Sequence, residues 1–211
     1  MMIKKSLTNS PTELTTQIFF LLDMTGSMDQ NKWATIDAFN EYVGGLKSDD
    51  ATSELKFSLG IFNSSIGIGL NIDKEPLSGV PKLTEANYVP NGATPLYDAI
   101  GFSIDSFSGD EGSVLFIVLT DGYENSSSRF NKVDIKQKIA SKTEQDWKFV
   151  FLGCDIDAME EGRDIGISPE SAKSYSRAQS VEAMQDMASA TIRYTKRDYA
   201  ARKNIGFFKK K

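Results

Sequence analysis

Apolar positions along the chain follow two rhythms. Gln17–Leu22, Ser113–Leu119 and Trp147–Leu152 are short, nearly continuous apolar runs, the pattern of strands covered on both faces. Elsewhere apolar residues recur every three or four positions. Ile36, Phe39, Val43 and Leu46 predict a helix over Trp33–Lys47, although Gly44-Gly45 weakens its last turn. Leu96, Ala99, Ile100, Ile104 and Phe107 predict another over Pro95–Phe107, with Thr94 as N-cap and Pro95 at the first helical position. Val133, Ile135 and Ile139 predict a helix over Lys132–Thr143, and Val181, Met184, Met187, Ala188 and Ile192 one over Ser180–Thr195. A short helix is expected over Asp157–Asp164, before Gly166.

Leu55–Phe62 and Ile66–Ile72 read as a hairpin turning at Asn63-Ser64-Ser65, and Ser174-Tyr175 as a short edge strand. Residues 73–93, with Pro76, Pro81 and Pro90, form a long connection with a short helix near Leu83–Asn87. Buried strands alternating with helices predict an α/β fold: a mostly parallel sheet, helices on both faces, and one antiparallel edge strand from the hairpin. The chain's 211 residues suit one domain, read as 16–195, with an N-terminal extension (1–15) and a basic C-terminal tail (196–211).

Composition narrows the chemistry. There is no histidine, which excludes a Ser–His–Asp triad, a Cys–His pair and histidine-bound zinc. The single cysteine, Cys154, cannot form an internal disulfide, and the opening MMIKKSLTNSPTEL has no apolar core of a signal peptide; both point to a cytoplasmic protein. No apolar run is long enough to span a membrane. Residues 193–211 carry eight basic side chains and one acid, +7 of a total of −5, so residues 1–192 carry −12. An acidic body is a poor surface for nucleic acid, and the basic end reads as a solvated tail.

Two buried runs end in polar clusters, LLDMTGSM and VLTDGYENSS, and a third cluster, NGATPLYD, opens a helix. Ligands of open α/β sheets bind beyond the carboxyl ends of the strands. If the first and fourth strands are neighbours, Asp23, Thr25, Ser27, Thr94 and Asp121 converge. Two carboxylates and three hydroxyls are hard oxygen ligands, suited to Mg²⁺ or Mn²⁺ completed by water or by an outside oxygen. Each group also has an ordinary reading: Asp23 as a turn or cap, Thr94 as an N-cap, Asp121-Gly122 as a turn. DIDAMEEG (155–162) lacks the glycine and third ligand of a calcium loop, Gly67 and Gly69 lack the setting of a dinucleotide loop, and the glycosylation sequons at Asn63 and Asn125 have no secretory context.

Asp-x-Thr-x-Ser at 23–27, Thr94 in GATPLYDAI and Thr120-Asp121-Gly122 after a buried strand together resemble a von Willebrand factor type A domain with its metal-ion-dependent adhesion site, over about residues 16–192. Thr25 stands where that family usually has serine. The resemblance implies a Rossmann-like three-layer sandwich, a divalent metal held by Asp23, Thr25, Ser27, Thr94 and Asp121, and a non-catalytic role. A protein partner would complete the metal with an Asp or Glu carboxylate, chosen by loops 28–32, 73–93 and 122–131. Two alternatives compete with it: a magnesium-dependent phosphatase using Asp23 as nucleophile, which lacks an acid–base partner because Thr25 occupies that position, and a metal that only holds the loops together.

Overall fold

The computed structural model describes residues 16–107, 112–197, 201–202 and 206–209; the expected 1–15 extension lies outside them. Six strands form one sheet in the order β3-β2-β1-β4-β5-β6. They are β1 (Thr16–Asp23), β2 (Lys56–Asn63), β3 (Gly67–Pro76), β4 (Ser113–Thr120), β5 (Trp147–Cys154) and β6 (Ala172–Tyr175). All neighbours are parallel except β2 and β3, which form the expected antiparallel edge.

Among the described residues these α-helices cover the sheet: α1 (Lys32–Lys47), α2 (Leu96–Ser106), α3 (Lys132–Glu144), α4 (Ala158–Asp164) and α5 (Ser180–Thr195). Alternate side chains of β1 go to opposite layers, as the two-residue period of a strand requires. Ile18, Phe20 and Leu22 pack with Phe39, Tyr42 and Leu46 of α1 and Met184 and Met187 of α5. Phe19 and Leu21 pack with Leu96, Ile100 and Ile104 of α2 and Ile135 and Ile139 of α3. The methionines are core. Gly45, a weakness on sequence grounds, has a packing reason: a Cβ there would lie 3.0 Å from the Ala188 Cβ, so its absence lets α1 and α5 approach closely.

Three expectations change. Residues 84–88 form a turn, closed by Tyr88 N–H donating to the Thr84 carbonyl, in place of the short helix expected near Leu83–Asn87. Thr94 does not cap α2, which begins at Leu96 with Pro95 at its cap position. The first-turn N–H groups of Tyr97 and Asp98 donate instead to Glu124 Oε2 (2.8 Å) and Ser127 Oγ (2.9 Å) of the loop after β4. Asp98 answers by accepting from the backbone N–H groups of Ser128, Arg129 and Phe130. Burial pushes the Asp98 carboxyl up, but these bonds outweigh it and hold the group below its usual range. Loop and helix thus fix each other.

The third change is at the C-terminal end. Lys203, Lys210 and Lys211 lie outside the described residues, but Arg202 and Phe207 are not solvated tail. The Arg202 guanidinium donates to Thr16 Oγ1 (2.9 Å), Ser113 Oγ (3.0 Å) and the Thr195 carbonyl (2.7 Å), and lies over the Tyr194 ring. Phe207 is buried against Tyr194. Arg202 thus anchors at the amino ends of β1 and β4, opposite the polar strand ends.

Candidate metal centre

Parallel pairing of β1 with β4, Leu22 opposite Leu119, brings the two polar strand ends together. The backbone beyond β1 is held on three sides. Met24 N–H donates to the Phe62 carbonyl, Gly26 N–H to the Gly92 carbonyl, and the buried Tyr88 hydroxyl to the Asp23 carbonyl at 2.6 Å. Residues Gly26–Asn31 then form a short 3₁₀ turn that leads into α1.

All five residues expected at the site meet there. Thr94 Oγ1 lies 3.2 Å from Thr25 Oγ1, Thr25 Oγ1 lies 3.1 Å from Ser27 Oγ, and Ser27 Oγ lies 2.6 Å from Asp121 Oδ1. A consistent proton order runs along this chain: each hydroxyl donates once, and the last proton goes to the carboxylate. Each oxygen keeps lone-pair capacity for a cation. Asp23 is fully buried; its Oδ1 accepts from Thr25 N–H (2.7 Å) and its Oδ2 from the Thr120 hydroxyl (2.5 Å). Thr25 and Thr94 are buried, whereas Ser27 is exposed and Asp121 partly so, leaving one side of the cluster open.

The electrostatics call for a cation. No ion pair among the described residues includes Asp23 or Asp121. Burial is the main reason that the Asp23 carboxyl is raised from 3.8 to about 6; hydrogen bonds from Thr120 and Thr25 oppose the rise, and the charge of Asp121 adds to it. Among the described residues no three carboxylates, thiols or imidazoles cluster anywhere. The donor set here is two carboxylates and hydroxyls, which fits a hard divalent ion with open positions and offers nothing to a soft one.

Three neighbours are not among the expected site residues, although Thr120 and Gly122 flank Asp121 in the motif. Thr120 is part of the Thr120-Asp121-Gly122 motif but has no role assigned from sequence; it is the hydroxyl donor to Asp23 and also accepts from Gly122 N–H at 3.0 Å. Asn31 holds Asp121 Oδ2 through its Nδ2 at 2.6 Å. Gly122 sits against the hydroxyl cluster: a Cβ would lie 3.2 Å from Thr94 Oγ1 and 3.4 Å from Ser27 Oγ. Gly122→Ala will therefore weaken divalent-metal binding several-fold while shifting the metal-free melting temperature by no more than about 2 °C, a change of under about 1 kcal/mol. Calorimetric Mg²⁺ titration beside thermal melts in chelator measures both, and unchanged affinity would mean that the hydroxyls do not touch the metal.

The von Willebrand factor type A domain profile matches residues 17–190. No sequence among the curated proteins matches the chain. Among solved structures, the pilus adhesin SpaC of Lactobacillus rhamnosus GG is similar at TM-score 0.69 and 14% identity, over 85% of this chain and 31% of SpaC. Proximal thread matrix protein 1 of the mussel byssus, with a zinc-occupied MIDAS motif, is similar at TM-score 0.62 and 15% identity, over 84% of this chain and 46% of that one. The manganese-loaded TRAP protein of Plasmodium vivax is similar at TM-score 0.55 and 16% identity, over 82% and 72%. The chain spans less than half the length of the adhesin and the byssus protein. At these identities the likeness is one of fold.

Proposed function

Because the chain belongs to the von Willebrand factor type A domain family, we propose that it is a divalent-cation-dependent protein-binding module. Asp23, Thr25, Ser27, Thr94 and Asp121 hold Mg²⁺, with Mn²⁺ as a substitute, directly or through water. The cation supplies an electrophilic position that an Asp or Glu carboxylate of a partner protein completes. The observation that carries this reading is the pair of carboxylates, one of them fully buried, that share a hydroxyl network and have no basic partner among the described residues.

The surroundings support a protein partner. Trp33, Ile66, Val89 and Tyr123 are each more than half exposed; Trp33, Ile66 and Tyr123 follow the carboxyl ends of β1, β2 and β4, and Val89 is held beside the end of β1 by its N–H, which meets the Met24 sulfur. Exposed aromatic and aliphatic groups around a charged centre are the material of protein interfaces. No catalytic step is proposed. Thr25 stands two residues from Asp23, where the acid–base group of an aspartate-nucleophile phosphatase would be needed. The expected cytoplasmic setting belongs to this proposal and rests on the one thiol, Cys154, which is buried.

The test is a calorimetric titration of Mg²⁺ and Mn²⁺ into wild type and Asp121→Ala, followed by capture of partners from a lysate in Mg²⁺ or in chelator. Asp121 is partly exposed, so its truncation will leave the fold intact. One metal per chain, lost in the variant, together with capture that chelator reverses, is the expected outcome. A stabilising metal with capture unchanged by chelator would reduce the ion to a loop-holding role.

A further inference from the structure

Asn31 ends the 3₁₀ turn after β1 and is 3% exposed. Its Nδ2 donates to Asp121 Oδ2 at 2.6 Å, and this fixes which way the amide faces. Turned over, it would set its oxygen against an acceptor-only carboxylate. The other half of the amide is thereby committed: Oδ1 is buried with no hydrogen-bond partner among the described residues. A buried polar atom in that condition is destabilising unless something donates to it. Amide bond lengths keep Oδ1 within about 5 Å of the carboxylate oxygen that its nitrogen holds. An acceptor so placed lies within reach of the hydration shell of an ion bound at Asp121, and nothing in the local fold uses it.

We propose that Asn31 is a positioning residue of the metal centre, orienting Asp121 through Nδ2 and accepting through Oδ1 a hydrogen bond from a water of the bound cation, so that it favours an ion that keeps its waters. The inference rests on the metal-binding reading above. Outer-shell partners of metal ligands typically change affinity about 10- to 100-fold. Mg²⁺ retains several waters, whereas Zn²⁺ accepts four-coordinate sites with few. The side chain therefore weighs on Mg²⁺ more than on Zn²⁺.

Two variants test this, Asn31→Ala and the near-isosteric Asn31→Leu, each titrated with Mg²⁺ and Zn²⁺ and melted in chelator. Both will bind Mg²⁺ at least tenfold more weakly than wild type and Zn²⁺ at most a few-fold more weakly. Asn31→Leu, which removes the unpartnered oxygen without leaving a hole, will melt in chelator at or above wild type. A residue that served only the fold would lower the metal-free melting temperature and weaken both ions alike. That pattern, or wild-type Mg²⁺ affinity in both variants, overturns the inference. Absence of Mg²⁺ binding in wild type would instead remove the metal-centre reading itself.

Discussion

In chelator at pH 7, Asp23→Asn will melt above wild type, and added Mg²⁺ will raise the melting temperature of wild type alone. The folded metal-free protein holds the Asp23 carboxyl at about 6 against an ordinary 3.8, chiefly by burial. Between those values the folded state binds more protons than the unfolded state. The stability associated with a protonated Asp23 is thus fully present below pH 3.8 and is lost as pH rises through 6. At pH 7 the buried charge is destabilising by on the order of 2–3 kcal/mol, since each tenfold change in the acid's ionisation constant corresponds to about 1.4 kcal/mol. Asparagine removes the charge and keeps the bonds. Its oxygen still accepts from Thr25 N–H, and its nitrogen donates to Thr120 Oγ1, whose own proton then turns to the Gly122 carbonyl 3.1 Å away.

For a domain of this size the gain corresponds to a melting temperature roughly 4–10 °C higher. The variant will show no heat of Mg²⁺ binding, because a neutral amide cannot replace the carboxylate in neutralising the ion. Thermal melts in chelator and in Mg²⁺ decide it. If Asp23→Asn melts below wild type in chelator, the carboxylate stabilises the fold by itself and a cation is not what it awaits.

The same burial explains how far the sequence can be read. Strands β1, β4 and β5 are legible because residues covered on both faces must be apolar almost without interruption, and the helices because one face must be. The strand ends read short. Asp23, Asn63 and Thr120 continue the ladder, but polar residues at a strand end look like turns. The five expected ligands are legible as a spaced motif. Asn31 is not, and Thr120 and Gly122 are legible only as neighbours of Asp121 in that motif, because what each contributes is contact across the fold: an amide turned toward Asp121, a hydroxyl turned toward Asp23, a missing Cβ beside Thr94. Thr94 shows the reverse case. A threonine before a proline is a good helix cap on local grounds, but here the network draws its hydroxyl away, and Glu124 and Ser127 take over the cap from a loop that no local rule connects to it. Arg202 and Phe207 are hidden by composition, since a run of basic residues reads as solvated whatever two of its members touch.

Proton and metal must also compete at Asp23, and this gives the second large effect. A cation binds the deprotonated carboxylate, so Mg²⁺ affinity will be level above about pH 7 and fall as pH drops through about 6, the metal-free value of the buried group. Below that point a further drop of one pH unit weakens binding about tenfold; from about pH 7.5 to 4.5 the loss from Asp23 alone is roughly thirtyfold. An ordinary surface aspartate would leave affinity almost flat over the same range, because it stays ionised down to about pH 4. Proton release separates this cause from general acid damage. At about pH 6 the binding of one Mg²⁺ displaces about half a proton, and at about pH 5 nearly a whole one, as the fraction of protonated Asp23 rises. Calorimetric titrations in two buffers of different ionisation enthalpy count those protons directly. Level affinity down to about pH 5 with no proton release would mean that Asp23 is ionised in the metal-free protein, and that its charge is already balanced by the hydrogen bonds from Thr25 and Thr120.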